Sequence, residues 1–135
     1  MKEKSIVLRR ALEPVVLKGF DRLFIDIELI PLTKNGVILY CDEKFANNSF
    51  YILLSIQNKF IELRIKSMNE TTVLRSSVQI TINKQHLISI RIFHLFIVMY
   101  LDESWVDMKS WRETSIENTE SLRMFLGAVP KYFQR

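Results

Sequence analysis

Apolar and polar residues alternate one by one along most of the chain between Gly19 and Trp105. Residues 60–66 show it best: Ile61, Leu63 and Ile65 interleave with Glu62, Arg64 and Lys66. Successive side chains of a strand point to opposite faces, whereas a helix repeats every 3.6 residues. The pattern therefore predicts a half-buried sheet whose charged residues face water. Leu23, Ile25, Ile27 and Leu29 alternate in the same way with Phe24, Asp26, Glu28 and Ile30, and Pro31 stops that strand. Lys34-Asn35-Gly36 predicts a hairpin, because Asn-Gly accepts the positive φ angles of a tight turn. Residues 37–41 would be its return strand and 42–49 a polar loop.

Strands 50–56 and 60–66 follow, turned at Gln57-Asn58-Lys59. A loop over 68–72 leads to a short strand at 73–75. Val78, Ile80 and Ile82 alternate with Gln79, Thr81 and Asn83, and Ile88, Ile90 and Ile92 continue the period. Residues 96–101 return, Asp102-Glu103-Ser104 turns, and Trp105, Val106 and Trp111 open a less regular stretch. Met124-Phe125-Leu126 is a last strand, closed by Gly127 and Pro130. The residues before Gly19 show no clear period. So many short strands predict a β-sandwich or barrel.

A chain of 135 residues is one domain with room for a full core. Its net charge of +4 allows an acidic partner: a sulfated glycan, an anionic lipid or a nucleic acid. The basic residues are scattered through the strands, as on any solvated surface. Nucleic-acid binding would interleave basic residues with aromatics on one sheet face. Here the intervening residues are Ile and Leu, which belong inside, so no nucleic-acid partner is expected. Cys41 is the sole cysteine, which excludes an internal disulfide and suits a small buried hydrophobe. His86 and His94 do not supply the ligand spacing of a zinc site.

Met1-Lys2-Glu3-Lys4 does not read as a signal peptide, which fits either a cytosolic protein or a module of a longer secreted chain. Residues 87–101 are mostly apolar but carry Ser89, Arg91 and His94. They also fall short of the ~20 residues of a bilayer span, so two strands joined by a tight turn are expected and no membrane crossing. Asn47-Asn48-Ser49 and Asn69-Glu70-Thr71 fit the N-glycosylation pattern at Asn47 and Asn69, which favours secretion.

The order of these pieces resembles the laminin G-like domains. Residues 31–40, Pro-Leu-Thr-Lys-Asn-Gly-Val-Ile-Leu-Tyr, are similar to that family's early Gly-x-Leu-Leu-Tyr hairpin. Residues 50–64 resemble its following strand pair, and 84–90 the strand that begins with Trp-His. Leu101-Asp102-Glu103 sits at its Val-Asp-Gly turn, and 124–130 resemble its closing Gly-Gly-x-Pro. The resemblance covers about residues 17–130, leaving 1–16 as an N-terminal extension before a domain of 17–135. It implies an all-β, two-sheet antiparallel jelly-roll sandwich of the concanavalin A-like, laminin G-like type. Gln85 replaces the family tryptophan, Lys59 and Glu103 replace two turn glycines, and Ala128 replaces the second closing glycine. The family's C-terminal disulfide cannot form. The chain thus resembles a divergent member, or a module that has lost some of the family's binding chemistry.

The resemblance also implies function: an extracellular recognition or adhesion module within a larger secreted or membrane-anchored protein. Its partners would be a heparin-like glycosaminoglycan, a glycoprotein receptor, or a matrix or cell-surface protein, met at the loop rim and a basic sheet face. Members often hold one calcium at the rim. The matching positions here are Asn48, Ser49 and Asn118, a degenerate set because neutral oxygens alone hold a divalent cation poorly; Asp42 and Glu43 could assist from the same loop. Lys59, Arg64, Lys66, Arg75, Lys84 and Arg91 are the glycan-binding candidates, Arg64 and Lys66 sharing one strand face. His86 matches a structural histidine of the family.

Two alternatives stand beside this reading. Phe24-Ile25-Asp26-Ile27-Glu28 is similar to the Glu-x-Asp-x-Glu strand of jelly-roll β-glucanases, which would make the chain a carbohydrate-active enzyme or lectin. Phe24 occupies the first carboxylate position, so the acid pair is incomplete and no catalysis is expected. The other alternative is a spacer module with no ligand. Trp105 and Trp111 could stack on a sugar ring, but in a small sandwich such side chains are expected in the core.

Overall fold

The computed structural model describes residues 3–8, 15–17, 22–43, 50–67, 70–93, 96–110 and 122–127. They form strands β1 (Glu3–Leu8), β2 (Val15–Leu17), β3 (Arg22–Leu29), β4 (Gly36–Glu43), β5 (Phe50–Gln57) and β6 (Phe60–Ser67). Then come β7 (Glu70–Arg75), β8 (His86–Ile92), β9 (Phe96–Leu101), β10 (Ser104–Ser110) and β11 (Leu122–Leu126). Two sheets result, in the orders β1-β3-β8-β9-β10 and β2-β11-β4-β5-β6-β7. All pairings are antiparallel except β1 beside β3, so the fold is the expected all-β jelly-roll sandwich. Residues 1–16, set apart above as an extension, contain β1 and part of β2, and both strands pair with these sheets.

The alternating aliphatics form the core. Leu23, Ile25 and Ile27 of β3 pair in register with Ile92, Ile90 and Ile88 of β8, all on the inner face of the five-stranded sheet. From the other sheet come Leu39 and Cys41 of β4, Ile52 and Leu54 of β5, and Leu63 and Ile65 of β6. Each such side chain contributes about 1.5–3 kcal/mol by leaving water.

Several local expectations are corrected. β3 and β4 lie in different sheets, so residues 30–35 cross between sheets and Asn35-Gly36 is not a hairpin turn. Neither residue has a positive φ. Residues 78–83, whose alternation suggested a strand, lie in a loop over 76–85: Ile80 plugs the core end, its N–H bound to the Lys59 carbonyl at 2.8 Å, while Val78 is exposed. Alternation there reflects one buried residue in a loop, not a pleat. β10 is a full strand whose period is broken by a bulge between Trp105 and Asp107. Strands also claim Asp42, Glu43 and residues 70–72, all assigned above to loops.

The scarcity of glycine is met by other residues. Asn58 (φ 51°) and Lys59 (φ 70°) turn β5 into β6, and Asp102 (φ 51°) and Glu103 (φ 68°) turn β9 into β10. Two left-handed residues in a two-residue loop match the twist of the flanking strands.

Candidate functional site

Alternation along β6 and β7 sets the outward face of the six-stranded sheet. Register places Arg64 opposite Val73, Lys66 opposite Thr71, and Arg75 opposite Glu62. Arg64, Lys66 and Arg75 therefore share one face. Arg64 Nη2 meets Glu62 Oε1 at 3.2 Å, and the Arg75 guanidinium lies 4.8 Å from the centre of the Phe60 ring. Glu62, expected to be wet, is buried beneath these long neighbours. Further along this face, on β4, Tyr40 donates its hydroxyl to Asp42 Oδ2 at 3.1 Å, and both residues are fully buried.

The other cations lie elsewhere. Arg91 is on the outward face of the five-stranded sheet, bound to Asp26 Oδ1 at 2.9 Å and 5.0 Å from the centre of the Phe24 ring. Phe24, Asp26 and Glu28 do share that face, as their spacing required, and Asp26 is spent on Arg91. Lys59 and Lys84 lie at one end of the sandwich, in the β5–β6 turn and the β7–β8 loop. The six candidates thus divide among two sheet faces and a rim.

That rim is built by interlocking loops. The Lys59 N–H reaches the Lys34 carbonyl, the Asn83 N–H reaches the Pro31 carbonyl, and Gln79 Nε2 donates to the Asn58 carbonyl. His86, at the start of β8, is buried and joins loop to turn. A carboxylate only accepts, so Nδ1 donates to Asp102 Oδ2 at 2.7 Å, while Nε2 lies 3.0 Å from the Thr81 nitrogen and 3.2 Å from the Thr81 carbonyl. Asp102 Oδ1 accepts the Leu87 N–H at 2.8 Å. Partial burial pushes the Asp102 carboxyl up, but the Leu87 N–H, the His86 contact and the charges of His86 and Lys84 outweigh it and hold the group below its ordinary value. His86 is thus a hydrogen-bonding residue of the framework.

Beside this pair opens a cavity of about 340 Å³ between the β7–β8 loop and the β9–β10 hairpin. Ser77, Val78 and Gln79 line one side and Asp102, Ser104 and Trp105 the other. Trp105 was expected in the core and is instead 61% exposed, because the bulge after it and its register with Tyr100 turn it outward. The cavity went unseen in the sequence: its two sides are far apart in the chain, and the alternation over 78–82 suggested a strand where the loop stands.

Cys41 is buried in the core as expected, and burial first, then Asp42, pushes its thiol well up. Asn47, Asn48, Ser49, Asn69, His94, Trp111 and Asn118 lie outside the described residues. Among the described residues no cluster of three His, Cys, Asp or Glu fits a metal, and the fully buried Asp42 is bound to Tyr40 rather than free to ligate an ion. The positions that the resemblance offers for calcium, Asn48, Ser49 and Asn118, are all among the residues outside the described part. No helix among the described residues is long and apolar enough to cross a membrane.

A family model for the laminin G domain matches residues 29–135. The chain belongs to the laminin G domain family. This laminin G domain is similar in fold to domains LG4–5 of the mouse laminin α1 chain, at a TM-score of 0.72 and 16% identity over 90% of this chain and 33% of that one. It is also similar to the SAP-like pentraxin of Limulus polyphemus, at 0.63 and 11% identity over 82% of this chain and 54% of the other. A third similar structure is the IT-sialidase module CBM40 of Ruminococcus gnavus bound to α2,3-sialyllactose, at 0.64 and 11% identity over 82% and 66% of the two chains. The chain spans a third of the laminin structure and about half of the pentraxin. No curated protein matches the sequence. Laminin G domains are typically extracellular binding modules of larger proteins, without catalytic activity, and their sandwich is shared with carbohydrate-binding modules and lectins.

Proposed function

We propose that this laminin G domain is an extracellular recognition module for a heparin-like acidic glycan, free or carried on a matrix or cell-surface glycoprotein. The observation that carries the reading is the common placement of Arg64, Lys66 and Arg75 on the outward face of the six-stranded sheet. Arg64 and Lys66 are two residues apart on β6, about 7 Å. Arg75 lies one strand over, opposite Glu62. Lys59, in the turn that begins β6, extends the row toward the rim. Glu62 offsets part of Arg64, and Lys66 and Arg75 make no ion pair among the described residues. Such a row suits a repeating polyanion better than a single anion.

The test is heparin affinity of the whole chain across a salt series, with calcium and with chelator. Binding that fades with salt, ignores the chelator and falls roughly tenfold in the triple Ala variant of Arg64, Lys66 and Arg75 supports the reading. Heparin binding that is absent, or untouched by the triple variant, sinks it.

A further inference from the structure

The cavity beside Trp105 lies at the rim, apart from the cationic row, and its chemistry is different. Its polar lining is mostly uncharged. The hydroxyls of Ser77 and Ser104 and the indole N–H of Trp105 make no hydrogen bond among the described residues. Gln79 spends its amide nitrogen on the Asn58 carbonyl, at 3.2 Å, and keeps its oxygen. The ordinarily charged lining group is the carboxylate of Asp102, each of whose oxygens has one partner and room to accept another. No lysine or arginine lines the cavity. Apolar surface comes from Val78 and Trp105, 66% and 61% exposed at its mouth, and from Leu101 and Val106 within.

An occupant must therefore offer one apolar face to the indole and several hydroxyls to neutral donors, acceptors and one carboxylate. It should carry no negative charge, since Asp102 would repel it and no cation compensates. A neutral pyranose ring has this character: C–H bonds on one face and hydroxyls around its edge. The cavity volume lies at the lower end for small-ligand sites, which suits one or two rings. The framework is also fixed in advance. Ser76 accepts the Ile61 N–H and donates to the Val78 carbonyl, both at 2.9 Å, while His86 bridges Thr81 and Asp102. A site that is already ordered loses little entropy on binding.

We propose that this rim cavity is a binding site for an uncharged sugar ring, with Trp105 as the stacking platform and Asp102, Ser104, Ser77 and Gln79 as hydrogen-bonding partners. It is independent of the acidic-glycan face: it uses other residues, takes a neutral ligand and is insensitive to salt.

Saturation-transfer NMR on the whole chain with methyl glycosides of glucose, galactose, mannose and N-acetylglucosamine tests it, followed by calorimetric titration of any that bind. At least one glycoside should receive saturation, most strongly on the C–H protons of one ring face. Trp105→Ala should weaken it roughly tenfold and Trp105→Phe less. Thermal unfolding of both variants checks that the fold is kept, as the exposure of Trp105 leads one to expect. The proposal is overturned if no glycoside binds at about 10 mM, a concentration that would largely fill a site with a Kd of about 1 mM. Binding that Trp105→Ala leaves intact overturns it too. So does binding that fades with salt and is lost in the triple Ala variant, since the sugar would then belong to the cationic face.

Discussion

The β5–β6 and β9–β10 hairpins share one turn geometry and differ in everything around it. Each has a two-residue loop with both residues left-handed, Asn58-Lys59 in one and Asp102-Glu103 in the other. β5–β6 lies inside the six-stranded sheet, with β4 on one side and β7 on the other, in unbroken register from Phe50–Ser67 to Gln57–Phe60. Its turn is held from outside: Asn35 Oδ1 accepts the Asn58 N–H, and the Lys34 carbonyl accepts the Lys59 N–H. β9–β10 ends on a sheet edge, where the register slips between Trp105 and Asp107 and leaves Trp105 and Met108 exposed. Its turn is held by its own side chain, Asp102, gripping Leu87 and His86. A hairpin paired on both sides offers a ligand only its outward sheet face, whereas one on an edge also has an open side and a bulge to aim a side chain.

The sharpest way to break this comparison is through packing. Leu63→Ala, in fully buried β6, should cost about 2–5 kcal/mol, whereas Met108→Ala on β10 should stay within about 0.5 kcal/mol. Urea unfolding decides it, and similar costs for the two would mean that β10 is packed as tightly as the centre.

A smaller effect should separate the turns. His86 Nδ1 donates to the Asp102 carboxylate, and Asp102→Asn can set an amide nitrogen against it or forfeit the Leu87 contact. A loss of about 1–3 kcal/mol is expected. The pH dependence has a definite sign. The native carboxyl sits below its ordinary 3.8, so its share of stability is complete above that value and is lost as pH falls through the lower native value. The share is small because the side chain is 46% exposed. Unfolding followed from pH 5 to pH 2 should fall less steeply in Asp102→Asn than in the natural chain, an interval set by the usual carboxylate range of about 4.

The smallest effect belongs to the backbone. Lys59→Gly and Glu103→Gly should each stabilise by up to about 1 kcal/mol, since both residues hold a conformation that costs a side chain and suits glycine. Gly36→Ala should be close to neutral: its φ is not positive, and an added Cβ would meet Thr33 Oγ1 at an ordinary 3.8 Å. A large loss there would show a turn at Asn35-Gly36 after all.

The local pattern determined much of this molecule. Alternation marks β3, β6 and most of β8, because burying one face of a pleated strand demands apolar residues at every second position. It also puts Leu23, Ile25, Leu63 and Ile90 in the core and Cys41 among them. Arg64 and Lys66 had to share a face for the same reason, and Arg75 joined them only through the pairing of β7 with β6. Pairing is a choice among distant segments, and alternation carries no address for it. Asn35-Gly36 has the chemistry of a hairpin, yet β3 joins β8 and β4 joins β5 and β11, which turns the segment into a crossing between sheets. Ile80 repeats like a strand residue, yet it serves as the plug of a loop bound to Lys59. Trp105 is apolar and aromatic, and only the bulge beside it and the edge position of β10 turn it to solvent, next to a loop that comes from the other sheet. Which residues face inward is a property of each strand by itself; which strands meet, and what cavity opens where their loops converge, depends on contacts between parts of the chain that no short window contains.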